Sequence, residues 1–401
     1  MRSPSVSSRM MSGLTLAMVA VQLFGPSATV HAKDKEPIRI GWLSSLTGPQ
    51  STSAIAENKG VEFAVDEINK AGGINGRKIE LVTRDTVSDP KTAVNFAKQL
   101  IFEEKVSLII GPVNSGESLA TIPIVAKEGV PNIIIGTVDE LCDADKYPRA
   151  FRPINTNRQW IDAANDYALN VLRRKNVALL GDTTGYGAST AKAATAALEK
   201  QGIKPVYSAL IDQNKTDLSD EMKKAKAAGA DVIMPWSGNT GFMARIVNAR
   251  GDMGWGVPIV GHPTVMAAPL RKLVNKPTYL DNTYAAGYSS MTYDERGHLP
   301  PATKALQDKI RPRLGGGEID YSFWWVALGY DTVRLAEHAI RAAGGVDPAA
   351  LQKALENTRN FPGVYATYGY GPKERNGFPD KNIVINQANS FKDGVYRAAP
   401  R

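Results

Sequence analysis

Six short polar segments carry the groups in this chain that could hold a small molecule. They are Ser44-Ser45-Leu46-Thr47-Gly48-Pro49, Gly111-Pro112-Val113-Asn114-Ser115-Gly116, Gly136-Thr137-Val138-Asp139, Gly181-Asp182-Thr183-Thr184-Gly185-Tyr186-Gly187, Pro235-Trp236-Ser237-Gly238 and Gly261-His262-Pro263-Thr264. Hydroxyls and glycine amides dominate them, with Tyr186 and Trp236 as flat aromatic surfaces. That mixture suits hydrogen-bonded capture of a small polar or anionic group. Catalysis is poorly served. The sequence has no GxxxxGK[ST] phosphate loop, no HExxH pair and no GxSxG elbow. Ser44 to Pro49 stands where a dinucleotide-binding enzyme would carry GxGxxG. His262, His298 and His338 are too far apart in sequence to suggest a zinc cluster. No enzyme activity, catalytic residue, metal or cofactor is therefore assigned.

Each candidate residue has a plain structural reading beside the functional one. Ser115 precedes a helix and could cap it. Tyr186 could pack at a rim, and Trp236 could be buried for packing alone. His262 could close a turn before Pro263, or donate to a ligand carboxylate as a neutral or charged imidazole. Asp182 reads as a residue that fixes its own loop. Cys142, the only cysteine, is expected to be inert, because Asp139, Asp143 and Asp145 nearby would raise its thiol pKa.

All six segments follow short apolar runs, and those runs alternate with amphipathic stretches as in a wound parallel sheet. A first series reads strand 38–43, helix 54–70, strand 79–84, helix 90–104, strand 107–111, helix 118–128 and strand 132–136. Val61, Ala64, Val65 and Ile68 give the first helix one apolar face, and Gly72-Gly73 ends it. A second series reads strand 176–181, helix 188–201, strand 204–211, helix 218–228, strand 231–235, helix 241–250 and strand 257–261. Phe151 to Asn157, Tyr284 to Ser290 and Lys381 to Gln387 look like crossings between the two halves, and Tyr321 to Ala343 reads as a long helix. Gly315-Gly316-Gly317 and the stretch from Phe361 to Pro379 read as loops. In open parallel α/β sheets ligands collect outside the carboxyl ends of the strands, which is where the polar segments lie.

Residues 1–32 read as an address. Arg2 and Arg9, the apolar run Met10 to Phe24 and the small-residue ending Val30-His31-Ala32 have the three parts of a cleaved signal peptide. The run is broken by Ser12, Gly13, Thr15 and Gln22 and is shorter than the roughly 20 apolar residues of a membrane span. An exported, periplasmic chain without stable membrane insertion is expected. Cleavage after Ala32 leaves 369 residues, enough for two domains. It also leaves 46 basic against 40 acidic residues. The basic residues are scattered, unlike a nucleic-acid surface, so no nucleic-acid partner is expected. A lone cysteine permits no internal disulfide.

Ile40 to Pro49 (IGWLSSLTGP), Gly60 to Lys78 (GVEFAVDEINKAGGINGRK), Gly111 to Ser115 and Asp182 to Gly187 (DTTGYG) resemble the periplasmic binding proteins of the branched-chain amino-acid type. The resemblance runs across nearly the whole mature chain. It implies an α/β type I periplasmic-binding-protein fold, in which two Rossmann-like lobes with parallel sheets are joined by three crossovers and close on a ligand by a hinge. The lobes are expected at 33–154 with 288–379, and at 155–287 with 380–401. By residue, the resemblance implies ligand contacts at Asn114 and Ser115, at Gly136 and Thr137, and at Tyr186, with Ser53 as a further ligand-facing position. Trp236, Ser237 and His262 join them from the second-series loops. It also implies a monomer that passes its ligand to an ABC-importer permease; a sensory module of the same fold is the alternative. One departure stands out. Relatives that bind amino acids carry an acidic residue for the ammonium in the loop that here reads His262-Pro263-Thr264. An unpaired buried ammonium is costly, which points to an aromatic or branched aliphatic carboxylate without an amine.

Overall fold

The computed structural model describes residues 36–401, so the expected signal peptide lies outside the described residues. The first sheet is built from β1 (Ile38–Ser44), β2 (Ile79–Asp85), β3 (Leu108–Ile110), β4 (Asn132–Ile133) and β5 (Ala150–Phe151), in the order β2-β1-β3-β4-β5. All its pairings are parallel, with β1 and β2 in register from Ile38 opposite Ile79 to Ser44 opposite Asp85. Ile38, Ile40, Trp42 and Leu43 of β1 are all buried. Near-continuous burial is expected of a parallel strand covered by helices on both faces.

The second sheet comprises β6 (Val177–Asp182), β7 (Tyr207–Ile211), β8 (Val232–Trp236), β9 (Ile259–Gly261), β10 (Thr283–Tyr288) and β11 (Ile383–Gln387). Their order is β11-β10-β9-β8-β6-β7, with only the β10–β11 pair antiparallel. The helices are α1 (Ser51–Lys70), α2 (Pro90–Lys98), α3 (Ser115–Lys127), α4 (Asn157–Asp166), α5 (Gly185–Lys200), α6 (Ser219–Ala227), α7 (Thr240–Asp252), α8 (Pro301–Ile310), α9 (Phe323–Ala343) and α10 (Pro348–Glu356).

The chain passes between the lobes three times, as expected. It leaves β5 for α4, which packs on the second sheet, then leaves β10 for α8 and α9, and returns to β11. α9 is anchored to the first lobe by close contact with α1. A Cβ placed on Gly60 would fall 1.9 Å from the Val326 carbonyl oxygen, and one on Gly329 would fall 2.2 Å from that of Glu57. The two helix backbones touch, which only glycine permits. The crossings meet at Asn155, whose Oδ1 accepts from Tyr288 Oη at 3.1 Å and Tyr365 Oη at 3.2 Å. Phe378, from the third crossing, packs 5.7 Å from the Tyr288 ring.

Several element boundaries differ from the sequence reading. α1, α3 and α5 each begin three residues earlier than their apolar periodicity indicates, because their first turns are polar and face the gap between the lobes. Pro90–Lys98 is α-helical and Gln99–Glu103 turns with π geometry. α4, α8 and α10 have no counterpart in the sequence reading. α4 opens with a capping box: Thr156 Oγ1 accepts from the Gln159 amide at 3.2 Å, and Gln159 Oε1 accepts from the Thr156 amide at 2.7 Å.

Candidate functional site

The first turns of α3 and α5 bring the principal candidates together. At α3 the cap is Asn114, whose Oδ1 accepts from the Gly116 amide at 2.8 Å. This frees Ser115 from the capping role that its position suggested. Ser115 Oγ instead accepts from the Thr137 amide at 3.0 Å, leaving its own proton to donate. The Thr137 carbonyl in turn accepts from the Asn157 amide at 2.7 Å, tying this loop to the start of α4. Glu117, one turn into α3, is held in place from below: Ser45 Oγ and Thr86 Oγ1 donate to its carboxylate oxygens, each at 2.6 Å. Burial holds the Glu117 carboxyl above its usual range, opposed by those two hydrogen bonds.

From the second lobe, Thr184 caps α5 by accepting from the Gly187 amide at 3.1 Å, which fixes Tyr186 in the first turn. Asp182 does hold its own loop, accepting from the Thr184 amide at 2.8 Å. Burial pushes the Tyr186 phenol well above its usual range, so it is a neutral donor. Thr190 approaches its Oη without completing a hydrogen bond.

Ser53, Asn114, Ser115, Thr137, Tyr186 and His262 line one hollow of about 50 Å³. Gln50, Trp160, Gly238, Thr264 and Trp325 complete its wall with Val113 and Ile135. Ser53, Gly238, Thr264 and Trp325 also line an adjoining, mainly apolar hollow of about 150 Å³. There Ile55, Pro263, Trp324 and Asp320 join them. Trp324 and Trp325 are stacked, with ring centroids 3.9 Å apart. The two hollows share Ser53, Gly238, Thr264 and Trp325, and the smaller inner one carries a larger share of polar lining than the aromatic outer one.

Three sequence candidates do not line either hollow. Gly136 is a spacer: a Cβ there would come within 2.7 Å of Ser118 Oγ and Leu141, and its carbonyl accepts from Arg152 Nη1 at 3.1 Å. Trp236 ends β8 with no exposure at all and packs 6.4 Å from the His262 ring, so it presents no stacking surface. Ser237 turns its hydroxyl inward to accept from the Asn239 amide at 3.0 Å. Gly238, the next residue, reaches the hollow instead.

His262 is present in the wall, and its burial favours the neutral ring. Burial pushes its pKa down to about 3, only partly opposed by the Ser237 carbonyl. Its Nδ1 accepts from the Thr264 amide at 3.2 Å, so the ring proton belongs on Nε2. The ring is packed edge-on against Trp160 at 4.6 Å and beside Tyr186 at 5.1 Å. Of the two forms the sequence reading allows, neutral or charged, this burial favours the neutral one. Cys142 is half-buried, and its thiol is pushed up chiefly by burial, with Glu374 and Asp139 adding to it and Arg152 opposing.

Charge is sparse around the hollows. Among the described residues, the inner wall carries no Asp, Glu, Lys or Arg, and the outer wall carries one, Asp320. Arg271 Nη2 binds the Asp320 carboxylate at 2.8 Å and Lys272 Nζ takes its other oxygen. Among the described residues no group of three or more metal-ligating side chains occurs, and no helix is long and apolar enough to cross a membrane.

Sequence alone missed Trp160 and Trp325; Gly238 and Thr264 lie in polar segments it singled out but were not chosen as contacts, and Gln50 directly follows another such segment. Trp160 was recoverable, since Thr156-x-x-Gln159 is a capping-box spacing that announces α4. Trp325 had no such signal, because an aromatic on a long helix reads as core.

Comparison with known proteins agrees with this architecture. Residues 37–394 match the sequence model of a family described as periplasmic binding protein. An amino acid binding protein of Pseudomonas aeruginosa is 28% identical over 323 residues, covering 80% of this chain and 82% of the relative. A Leu/Ile/Val-binding protein homolog of Brucella abortus is 26% identical over 384 residues, covering 95% and 96%. The branched-chain amino acid transporter substrate binding protein LivJ from Streptococcus pneumoniae, solved with isoleucine, superposes with a TM-score of 0.76 at 25% identity, covering 90% of this chain and 98% of that one. A solute binding protein from Rhodopseudomonas palustris, solved with 4-hydroxybenzoate, gives 0.74 at 21% identity, covering 92% and 96%.

Proposed function

Because the chain belongs to the periplasmic binding protein family, we propose that it captures a small organic carboxylate lacking an α-ammonium group between its lobes and delivers it to an ABC-importer permease. One observation carries the ligand class. Neither hollow offers a free carboxylate: Asp320 is the sole acid in either wall, and two cations already hold it. Leaving one charge of a buried pair without its partner costs about 3–5 kcal/mol, or roughly 10²- to 10⁴-fold in affinity. His262, neutral in its burial, does not repel a cation but cannot balance one either.

The negative end of the ligand lies against Ser115, Thr137 and the first turn of α3, with Tyr186 Oη closing from the opposite lobe. Its charge is met by hydroxyls and by the positive ends of helix dipoles. The apolar remainder extends past Ser53 toward the stacked Trp324 and Trp325, a surface fitted to a flat ring. The same fold holds an aryl acid in the Rhodopseudomonas protein. We assign the lobes to residues 33–154 with 288–379 and residues 155–287 with 380–401, residues 1–32 to a cleaved export signal, and the working unit to a monomer.

Thermal denaturation of the mature protein with leucine, isoleucine, benzoate and 4-hydroxybenzoate tests the ligand class. A ligand present at 100 times its Kd stabilises the fold by about 2.7 kcal/mol. The acids are expected to raise the melting temperature and the amino acids to leave it unmoved; the reverse ranking overturns the proposal.

A further inference from the structure

Gly185 is the first residue of α5, and its backbone does not call for glycine. It is not among the glycines with positive φ, so a side chain could be carried there without backbone strain. Alanine would also be the better helix former. What a side chain would meet is the other lobe: a Cβ on Gly185 would stand 3.3 Å from the Gly116 Cα, and no other such contact lies within 4 Å. From the opposite side, a Cβ on Gly116 would stand 4.0 Å from the Gly185 Cα. The first turns of α3 and α5 thus meet backbone to backbone. The neighbours of this contact, Ser115 and Tyr186, both line the 50 Å³ hollow.

We infer that the Gly116–Gly185 contact sets how far the lobes close, and that Gly185 is thereby a specificity-determining residue that fixes the size of the inner chamber. The inference rests on the reading of the interlobe hollow as the ligand site. In a chamber of only about 50 Å³, displacing α5 by a few tenths of an ångström changes what fits against Ser115 and Tyr186 together. Gly185 acts through these two residues and touches no ligand itself. A larger residue at 185 would prop the chamber open and favour a bulkier ligand head.

Two measurements test this separately. Replacing Cys142 by serine and introducing Gly116→Cys with Gly185→Cys places two thiols at cystine-bonding range only when the lobes meet as described. Mild oxidation, with and without 4-hydroxybenzoate, should then give a reducible crosslink, whereas two freely titrating thiols with no crosslink under both conditions overturn the contact. In parallel, Gly185→Ala and Gly185→Val are compared with the wild type for binding of 4-hydroxybenzoate. Overpacking at the contact should weaken binding roughly 5- to 100-fold, more for valine, while the ligand-free melting temperature of Gly185→Ala is not lowered. Unchanged affinity, or a loss of ligand-free stability matching the loss of affinity, overturns the inference. If the wild type binds no aryl acid, the proposed ligand class fails, and the crosslink still decides the contact.

Discussion

Ser115 Oγ accepts the Thr137 backbone amide at 3.0 Å, so two loops that follow different strands of the first sheet present one oriented hydroxyl proton. The bond sets which way Ser115 can donate, and it points the hydroxyl's function outward from the lobe's own hydrogen bonding. Replacing Ser115 by alanine is expected to raise the Kd for 4-hydroxybenzoate by roughly 10- to 100-fold, the range for a hydrogen bond to a charged group. Isothermal titration reads the change, and circular dichroism checks that the fold persists.

His262→Asp should reverse the ligand preference. Aspartate at this position can still accept the Thr264 amide as a cap, and it supplies the carboxylate that an ammonium group needs. Leucine binding is expected to appear and aryl-acid binding to weaken by at least tenfold through like-charge repulsion. An isothermal titration in which leucine remains silent would count against the role given to the missing acid.

The burial of His262 also makes a prediction about pH. Its folded pKa lies near 3, below the unfolded value of about 6.5. Between these values the unfolded chain takes up a proton that the folded chain refuses, so this residue's effect is to lower stability as pH falls through that window, and it has none above it. Relative to a His262→Gln variant, the wild type should lose about 1.4 kcal/mol for each pH unit below 6. Urea denaturation of both proteins at pH 7, 5 and 4 measures the difference, and parallel curves would contradict it.

Much of this arrangement is legible in the sequence. The parallel strands announce themselves as apolar runs, and six of the nine proposed contact residues line the inner hollow, five of them from the polar segments after those strands and Ser53 from α1. What sequence could not decide was side-chain direction at strand ends. Trp236 and Ser237 sit two and one positions before Gly238, yet only Gly238 reaches the hollow, because β8 is buried on both faces and carries Trp236, its last residue, into the core. Helix starts were read late for a related reason: the polar first turns of α3 and α5 carry the site and so break the apolar period that marks a helix. Trp325 was hidden by its own type, an aromatic on the long helix α9 whose exposed side turns out to be the cleft.

Packing of α9 on α1 makes a test of the scaffold. Gly60→Ala would drive a methyl group into the Val326 carbonyl, which stands 1.9 Å from the Cβ position. A loss of at least about 1–3 kcal/mol is expected from such overpacking, read as a lower urea midpoint with the slope unchanged. A variant as stable as the wild type would mean that the two helices pack less closely than described.

The most direct test of the central claim is a crystal structure of the mature protein soaked with 4-hydroxybenzoate. The account predicts the carboxylate between the lobes, within about 3 Å of Ser115 Oγ and Tyr186 Oη, with its ring directed toward Trp325. Density for the acid elsewhere, or an amino acid retained from the expression host with its ammonium group seated beside His262, would contradict it.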